Sequence, residues 1–212
     1  MLSNQRPWGA IACHLPDIDE IFFGYDADLI KKTESARFVA SLRKIQCGNR
    51  RIKTQMDALR MNIETFERIV TDYGSLDIFV NSARPNLIAA QLSISGGRYK
   101  LKEVGFTLAM EYLRNVGVHA SKPDVHVQRI LSSERLGLMQ GTPTPEKAYD
   151  LMETLAADAG VNSTYLDNLL WIFCARDYGN ICGATPNCAI CRLSELCNYP
   201  KSGSPRSVAS RQ

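Results

Sequence analysis

The stretch Asn180–Pro200, NICGATPNCAICRLSELCNYP, holds four of the seven cysteines of this 212-residue chain. They are Cys182, Cys188, Cys191 and Cys197, separated by five, two and five residues. Because a loop this short has no room to bury four thiols apart from one another, the run is typical of four thiolates gathered around one centre. The four cysteines therefore predict a bound metal or cluster near the C-terminal end of the given sequence.

Two kinds of centre accept four cysteine sulfurs, a zinc ion and a [4Fe–4S] cluster. Zinc sites usually combine two closely spaced cysteine pairs, whereas this run has one such pair, Cys188 and Cys191, between two longer arms. Longer arms suit a group larger than a single ion. We therefore expect an iron–sulfur cluster, with zinc as the alternative. The remaining three cysteines, Cys13, Cys47 and Cys174, are expected in the core.

The composition is that of a folded, soluble protein, with 45% hydrophobic and 22% charged residues. No apolar run approaches the roughly 20 residues of a membrane span. The first residues contain a short apolar stretch without a basic leader, so we expect no signal peptide. An intracellular protein without a membrane partner is predicted. In a reducing compartment, clustered cysteines indicate metal binding or catalysis before disulfides.

Apolar residues recur at helical spacing along most of the chain, for example over residues 34–46. The alternation typical of strands is nearly absent. Residues 76–80 are its only candidate, and a buried helix end explains them equally well. Asp124 is placed to cap one helix, and Thr144 followed by Pro145 marks the start of another. These patterns predict an all-α fold of roughly eight to ten short helices.

Positive charge is concentrated in two places, although the net charge is only +3. The first interval is opposed only by Asp57, and the second is a short group before residue 103. The basic residues are Arg43, Lys44, Arg50, Arg51, Lys53 and Arg60 in the first, and Arg98, Lys100 and Lys102 in the second. Such local charge suits a polyanion such as nucleic acid, and solvated helix faces look the same.

The cysteine spacing, C-x5-C-x2-C-x5-C, resembles the cluster loop of the endonuclease III-like DNA glycosylases in the helix–hairpin–helix (HhH-GPD) superfamily, whose first arm is one residue longer. Two upstream segments strengthen the resemblance. Leu101–Leu113, LKEVGFTLAMEYL, is similar to the family's hairpin, L-P-G-V-G-x-x-T-A. Lys122–Leu131 resembles the segment with the family's essential aspartate, D-x-H-x-x-R, at Asp124, His126 and Arg129. The three motifs follow the family's order.

The resemblance covers residues 34–200 and implies two helical lobes. Residues 34–122 would form a helical-barrel lobe that ends in the helix–hairpin–helix motif. Residues 1–33 together with 123–200 would form the lobe with the C-terminal [4Fe–4S] cluster loop. The tail, residues 201–212, is low in apolar residues and is expected to be disordered.

The resemblance also implies a base-excision repair N-glycosylase that acts, as a monomer, on double-stranded DNA with a damaged or mispaired base. Asp124 would be the essential carboxylate, which stabilises positive charge on the sugar and orients the attacking water. Bifunctional members carry a lysine just after the hairpin, and that amine forms an imine with the sugar. Here Phe106 and Thr107 occupy this place, so a monofunctional enzyme is predicted.

The expected DNA contacts follow from the same resemblance. The hairpin backbone at Val104 and Gly105 would bind a phosphate. Glu103 stands where the family has its first glycine, and a carboxylate near a phosphate is repelled. The other expected contacts are Arg98 and Lys102 beside the hairpin, Gln46 as the wedge that fills the place of the flipped base, and Arg50 and Arg51 on the backbone nearby.

Three alternatives stay open. The chain could be a non-catalytic iron–sulfur helix–hairpin–helix DNA-binding protein, which Glu103 and the missing hairpin lysine favour. It could be a bifunctional glycosylase and abasic-site lyase that uses another lysine. With zinc in place of the cluster, it would be a helical nucleic-acid adaptor.

Overall fold

The computed structural model describes residues 8–176 and 178–202, and this part of the chain contains twelve α-helices, two 3₁₀ turns and no β-strand. The predicted all-α class is therefore confirmed. The helices are α1 (Gly9–Ala12), α2 (Leu15–Ile21), α3 (Ala27–Lys32), α4 (Ser35–Lys44), α5 (Ile52–Asp57), α6 (Leu59–Tyr73), α7 (Leu76–Val80), α8 (Pro85–Ser93), α9 (Phe106–Asn115), α10 (Val125–Leu131), α11 (Pro145–Asp158) and α12 (Ser163–Cys174). The 3₁₀ turns are Phe23–Tyr25 and Tyr199–Ser202.

The helices outnumber the expected eight to ten because residues 9–32 break into three short helices. No helix among the described residues is long and apolar enough to cross a membrane. Of the tail that was expected to be disordered, residues 201 and 202 belong to the second 3₁₀ turn. Residues 203–212 lie outside the described residues.

Two helices begin at the residues that the sequence predicted as their caps. Asp124 caps α10 through its side chain, and the Thr144 hydroxyl accepts a hydrogen bond from the backbone of Lys147 at the start of α11. Residues 76–80 form helix α7 and not a strand, because the Ser75 hydroxyl caps its first turn. A side-chain oxygen that accepts an otherwise unpaired amide stabilises a helix start by about 1 kcal/mol.

The chain divides into two compact units between Ala109 and Met110, inside α9. In the first unit, helices α1 to α5 share one apolar core. Its buried side chains are Ile11, Ile18, Phe22, Ile30, Phe38, Val39, Leu42, Cys47, Ile52 and Met56. The rings of Phe22 and Phe38 stack with centroids 5.2 Å apart. Burying each such large apolar side chain contributes about 1.5–3 kcal/mol.

This core differs from the predicted grouping, which placed residues 1–33 with the cluster loop. The described part of that segment packs on α4 and α5 instead, because its short helices bury Ile11, Ile18 and Ile30 against that surface. The expectation that Cys13 is a core residue is wrong, since it follows the four-residue helix α1 and is exposed. Cys47 is fully buried, as expected.

In the second unit, helices α10, α11 and α12 enclose a separate core. Its buried side chains are Val127, Ile130, Leu131, Ala148, Met152, Cys174 and Cys182. The expectation for Cys174 is confirmed, since only 1% of this residue is exposed. The first cysteine of the run, Cys182, is thus part of the same core as the helix that Asp124 caps.

Candidate functional site

The first end of the cysteine loop is held by the last turn of α12. The backbone amides of Ile181 and Cys182 donate to the Phe173 carbonyl at 2.9 and 3.4 Å. The Cys182 side chain is thereby buried in the same core as the Cys174 thiol. The interaction with Cys174, followed by the charge of Arg135, lowers the pKa of Cys182, while the interaction with Cys182 raises the pKa of Cys174. The Cys174 contact was missed in the sequence.

The second end of the loop is held by the turn after α10. The Asn198 amide donates to the Arg135 carbonyl at 2.7 Å, and Asn198 Nδ2 donates to the Ser133 carbonyl at 2.9 Å. Gly137 has a φ of +70°, and a Cβ there would lie 2.7 Å from Asn198 Nδ2. A substitution at this positive φ would be strained, and its Cβ would also displace the Asn198 amide that donates to Ser133.

The four predicted ligand thiols differ in burial. Cys182 and Cys197 are buried, and Cys188 and Cys191 are half-buried. Burial, followed by the proximity of the other three thiols, raises the pKa of Cys188. Within residues 8–176 and 178–202, no three His, Cys, Asp or Glu side chains converge closely enough to hold a single metal ion.

A buried arginine tests whether a cluster fits this loop. Arg135 is 4% exposed, its Nη2 donates to the Ala184 carbonyl at 3.4 Å, and its guanidinium lies over the Tyr199 ring at 3.8 Å. It is near enough to lower the pKa of Cys182. Its Nε and Nη1 nevertheless lack an acceptor at hydrogen-bond geometry in the described part of the chain. Because a buried charged donor needs an acceptor, the loop fits an anionic, thiolate-bound group.

Asp124 is held at the N-terminus of α10. Its Oδ1 accepts hydrogen bonds from the backbone amides of His126 at 2.8 Å and Val127 at 3.3 Å. Its Oδ2 lies 4.0 Å from Lys122 Nζ, and 15% of the side chain is exposed. The positive end of the helix dipole stabilises a negative charge at this position. One carboxylate oxygen is therefore fixed by the helix, while the other lies beside an amine.

Charged groups of the second unit surround Asp124. Lys122 Nζ forms an ion pair with Glu111. Asp167 of α12 is 2% exposed, accepts a hydrogen bond from the Lys122 amide at 3.1 Å and forms an ion pair with Arg114. Burial raises the pKa of Asp167 to about 6, against the lowering effect of the Arg114 guanidinium. Asp167 thus anchors the peptide two residues before Asp124, a role that was missed in the sequence.

His126 and Arg129, which match the family's motif, link α10 to the cysteine loop. Arg129 Nη1 lies 3.5 Å from His126 Nδ1 and 3.5 Å from the Cys182 carbonyl. Burial, together with the charges of Arg129 and Lys122, lowers the pKa of His126, although Asp124 opposes the shift.

The first part of the segment that resembles the hairpin, residues 101–109, lies in the first unit. Helix α8 ends at Ser93, because Ile94 adopts an extended conformation with φ −69° and ψ 127°, and residues 94–105 connect it to α9. The Leu101 amide then returns to the Leu92 carbonyl at 2.9 Å. This longer connection differs from the tight two-helix turn that the resemblance implies. Asn62 of α6 fixes it by pairing with both backbone groups of Lys102, at 2.6 and 3.0 Å.

Glu103 is a non-glycine residue of this connection in the left-handed conformation, with a φ of 62°. The family's glycine would adopt this conformation without a steric penalty. The Glu103 carboxylate accepts hydrogen bonds from Arg51 Nε at 3.0 Å and Nη2 at 2.5 Å. The negative charge that was expected to repel a phosphate is therefore balanced by an arginine.

Two of the basic side chains near the hairpin are engaged within the first unit. Lys100 Nζ donates to the Leu101 carbonyl at 2.7 Å and to the Val104 carbonyl, and burial lowers its pKa. Arg98 makes two hydrogen bonds of 2.8 Å to the Asp72 carboxylate. Lys102, in contrast, has an exposed side chain.

The two remaining hairpin residues differ in exposure. The Val104 side chain is buried, so only its backbone can meet a ligand. Gly105 is exposed, and a Cβ there would meet no atom within 4 Å. The open space above Gly105 suits close approach by a partner.

The loop after α4 lies beside this segment, because Arg51 joins it to Glu103. Gln46 ends the helix in a left-handed conformation, with a φ of 56°, and is exposed together with Arg50. We call the exposed residues of this region the hairpin face. They are Gln46, Arg50, Arg51, Lys102 and Gly105.

The predicted site residues thus fall into two groups. The hairpin face belongs to the first unit, while Asp124 and the four cysteines belong to the second. No protein-family model, curated protein or solved structure matches this chain. The functional interpretation therefore rests on the residues themselves.

Proposed function

We propose that the protein is a monofunctional DNA N-glycosylase that hydrolyses the bond between a damaged or mispaired base and deoxyribose. The geometry of Asp124 carries the proposal. Two backbone amides of α10 hold one of its oxygens, so the carboxylate is oriented before any substrate binds. The other oxygen is left for the reaction. Preorganised charge of this kind lowers a barrier in which positive charge develops.

Cleavage would proceed on a nucleotide that has been turned out of the duplex. As the base leaves, positive charge grows on the sugar, and the Asp124 carboxylate stabilises it. The same carboxylate takes a proton from the attacking water, whose oxygen bonds to the anomeric carbon. Asp167 is a positioning residue, because it holds the Lys122 peptide through the bond of 3.1 Å.

The hairpin face would bind the DNA backbone. Lys102 and Arg50 supply exposed positive charge, and Gly105 permits close approach of a phosphate. Arg51 would contact a phosphate only by exchanging its pair with Glu103. Gln46 would enter the space left by the extruded base. Arg98 would contact a phosphate only by exchanging its pair with Asp72.

We propose that Cys182, Cys188, Cys191 and Cys197 hold a [4Fe–4S] cluster. The buried Arg135 supports an anionic group at this position. A bound cluster would supply a redox-active, rigid centre for the loop. Visible absorbance and iron content of anaerobically purified protein test this, since the zinc alternative is colourless.

The glycosylase proposal is tested on duplexes with deaminated, oxidised, alkylated and mispaired bases. Each reaction is split, and only one half is heated in alkali, which cleaves abasic sites. We expect cleavage only after alkali, and its loss in Asp124→Asn. The matched control, Asp150→Asn, removes one exposed carboxylate from α11 of the same unit and should leave activity unchanged. If the protein binds DNA but no duplex is cleaved after alkali, the non-catalytic alternative is favoured.

One observation favours a second candidate, the bifunctional enzyme. Lys122 Nζ lies 4.0 Å from Asp124 Oδ2, where an amine could attack the same anomeric carbon. It forms an ion pair with Glu111, however, and only a neutral amine forms an imine. Borohydride trapping on an abasic duplex separates the two candidates. A covalent adduct that persists in Lys102→Gln and is lost in Lys122→Gln would establish the lyase.

A further inference from the structure

Arg135 is the most deeply buried arginine charge beside the cysteine loop, and it connects three parts of that loop. Its Nη2 donates to the carbonyl of Ala184 in the first arm at 3.4 Å. Its guanidinium lies 3.8 Å from the ring centroid of Tyr199, just beyond the last cysteine. Its own carbonyl accepts from the Asn198 amide at 2.7 Å. Two contacts hold the buried guanidinium, and the third holds the Arg135 backbone beside the end of the loop.

The charge of Arg135 is not balanced by a carboxylate in the described part of the chain. Nε and Nη1 are both buried and lack an acceptor there. A buried N–H group without an acceptor costs about 1–3 kcal/mol, and more when it is charged. Burying an unpaired charge is costlier still. The fold would therefore tolerate this arginine only if an anion completes its surroundings.

We propose that Arg135 is the buried counter-ion of the group that the four cysteines hold. Its Nε–H and Nη1–H would donate hydrogen bonds to the sulfur atoms of that group, and its charge would balance part of the negative charge of four thiolates. Tyr199 would hold the guanidinium plane in place. The inference rests on the proposed [4Fe–4S] cluster and assigns Arg135 as a residue that sets its retention and its reduction potential.

Two substitutions separate charge from geometry. Arg135→Gln removes the charge and the planar fork, whereas Arg135→Lys keeps the charge but loses the fork. The matched control is Arg192→Gln, which removes an exposed arginine immediately after Cys191. All proteins would be purified anaerobically. Iron per chain, the rate of iron loss to a chelator and the reduction potential would be measured, with helix content followed by circular dichroism.

We expect Arg135→Gln to lose iron roughly 10- to 100-fold faster than Arg192→Gln. Its reduction potential should also be lower, because a positive charge beside the cluster favours the reduced, more negative state. Arg135→Lys should fall between the two. If Arg135→Gln does not fold, the lysine variant decides the question through the same iron-loss and potential measurements. Iron retention and potential equal to those of Arg192→Gln in either Arg135 variant would overturn the proposal.

The same experiment separates this inference from the proposed function. Wild-type protein without iron would contradict both the cluster and its counter-ion. Wild-type protein that holds the cluster but excises no base would contradict only the glycosylase. A cluster whose iron loss and reduction potential do not change in the Arg135 variants would contradict only this inference.

Discussion

Replacing Glu103 by glutamine should strengthen DNA binding and make it more sensitive to salt. The Glu103 carboxylate receives both hydrogen bonds of Arg51, from Nε at 3.0 Å and Nη2 at 2.5 Å. Glutamine has nearly the same shape, so the left-handed turn keeps its side chain while the negative charge disappears. Arg51 then becomes available to a phosphate on the hairpin face.

The magnitude follows from counting one additional phosphate contact. Each neutralised phosphate steepens the slope of log K against log salt by about 0.9. Between roughly 200 and 50 mM salt, the advantage of Glu103→Gln over the parent should therefore grow by about 3.5-fold. Titrating a lesion-free duplex by fluorescence anisotropy at four salt concentrations measures both slopes.

The matched control is Glu67→Gln, which removes a carboxylate that pairs with Lys31 and with no residue of the hairpin face. It changes the net charge of the chain by the same amount. A slope for Glu103→Gln equal to that of Glu67→Gln would refute the reasoning. So would a gain that survives the further substitution Arg51→Gln, because the account assigns the gain to that arginine.

Three further predictions concern the second unit. Asp124→Ala should lower the free energy of unfolding by about 1 kcal/mol, whereas Asp124→Asn should leave it nearly unchanged, since asparagine caps a helix equally well; urea titration measures both. Burial raises the pKa of Asp167 from 3.8 to about 6. The folded state therefore favours the protonated carboxyl, and this contribution to the free energy of unfolding is fully present below about pH 4 and is lost as the pH rises through 6. Relative to Asp167→Asn, which keeps a polar group beside Arg114, the parent should lose on the order of 3 kcal/mol across that window in urea titrations from pH 4 to 7. Gly137→Ala should loosen the last cysteine and speed iron loss to a chelator, because its Cβ would lie 2.7 Å from Asn198 Nδ2; iron loss at the parent's rate would contradict this.

The parts of the fold that short local patterns specify were predictable. Asp124 and Thr144 are capping residues in front of apolar periodic segments, and both cap helices. A capping side chain accepts hydrogen bonds from amides two or three residues further along the chain, so a short stretch of sequence is enough to predict it. The shared centre of the four cysteines, which the same local spacing indicates, stays a prediction.

Long-range partners were not predictable. Nothing within SSERLGL distinguishes Arg135 from a surface arginine, because the loop that buries it is more than forty residues further along the chain. The pairing of Arg51 with Glu103 joins residues 52 positions apart. Both contacts decide the electrostatics of a candidate site, yet neither has a local signature.

Asp167 is an intermediate case. It interrupts the apolar run YLDNLLWIF, residues 165–173, and a lone carboxylate in such a run indicates either solvent exposure or a buried pair. The pattern could have singled it out, but its partner Arg114 belongs to another helix. The N-terminal segment was grouped differently for a similar reason, since short amphipathic helices show which face is buried without showing against what.

The most direct test of the central claim is to ask whether the protein releases free bases from DNA in an Asp124-dependent manner. DNA treated separately by deamination, oxidation and alkylation would be incubated with the parent and with Asp124→Asn. Bases in the protein-free supernatant would then be identified by mass spectrometry. We expect the parent to release one class of damaged base and Asp124→Asn to release none. Equal release by the two proteins, or no release from any DNA that the parent binds, would contradict this expectation.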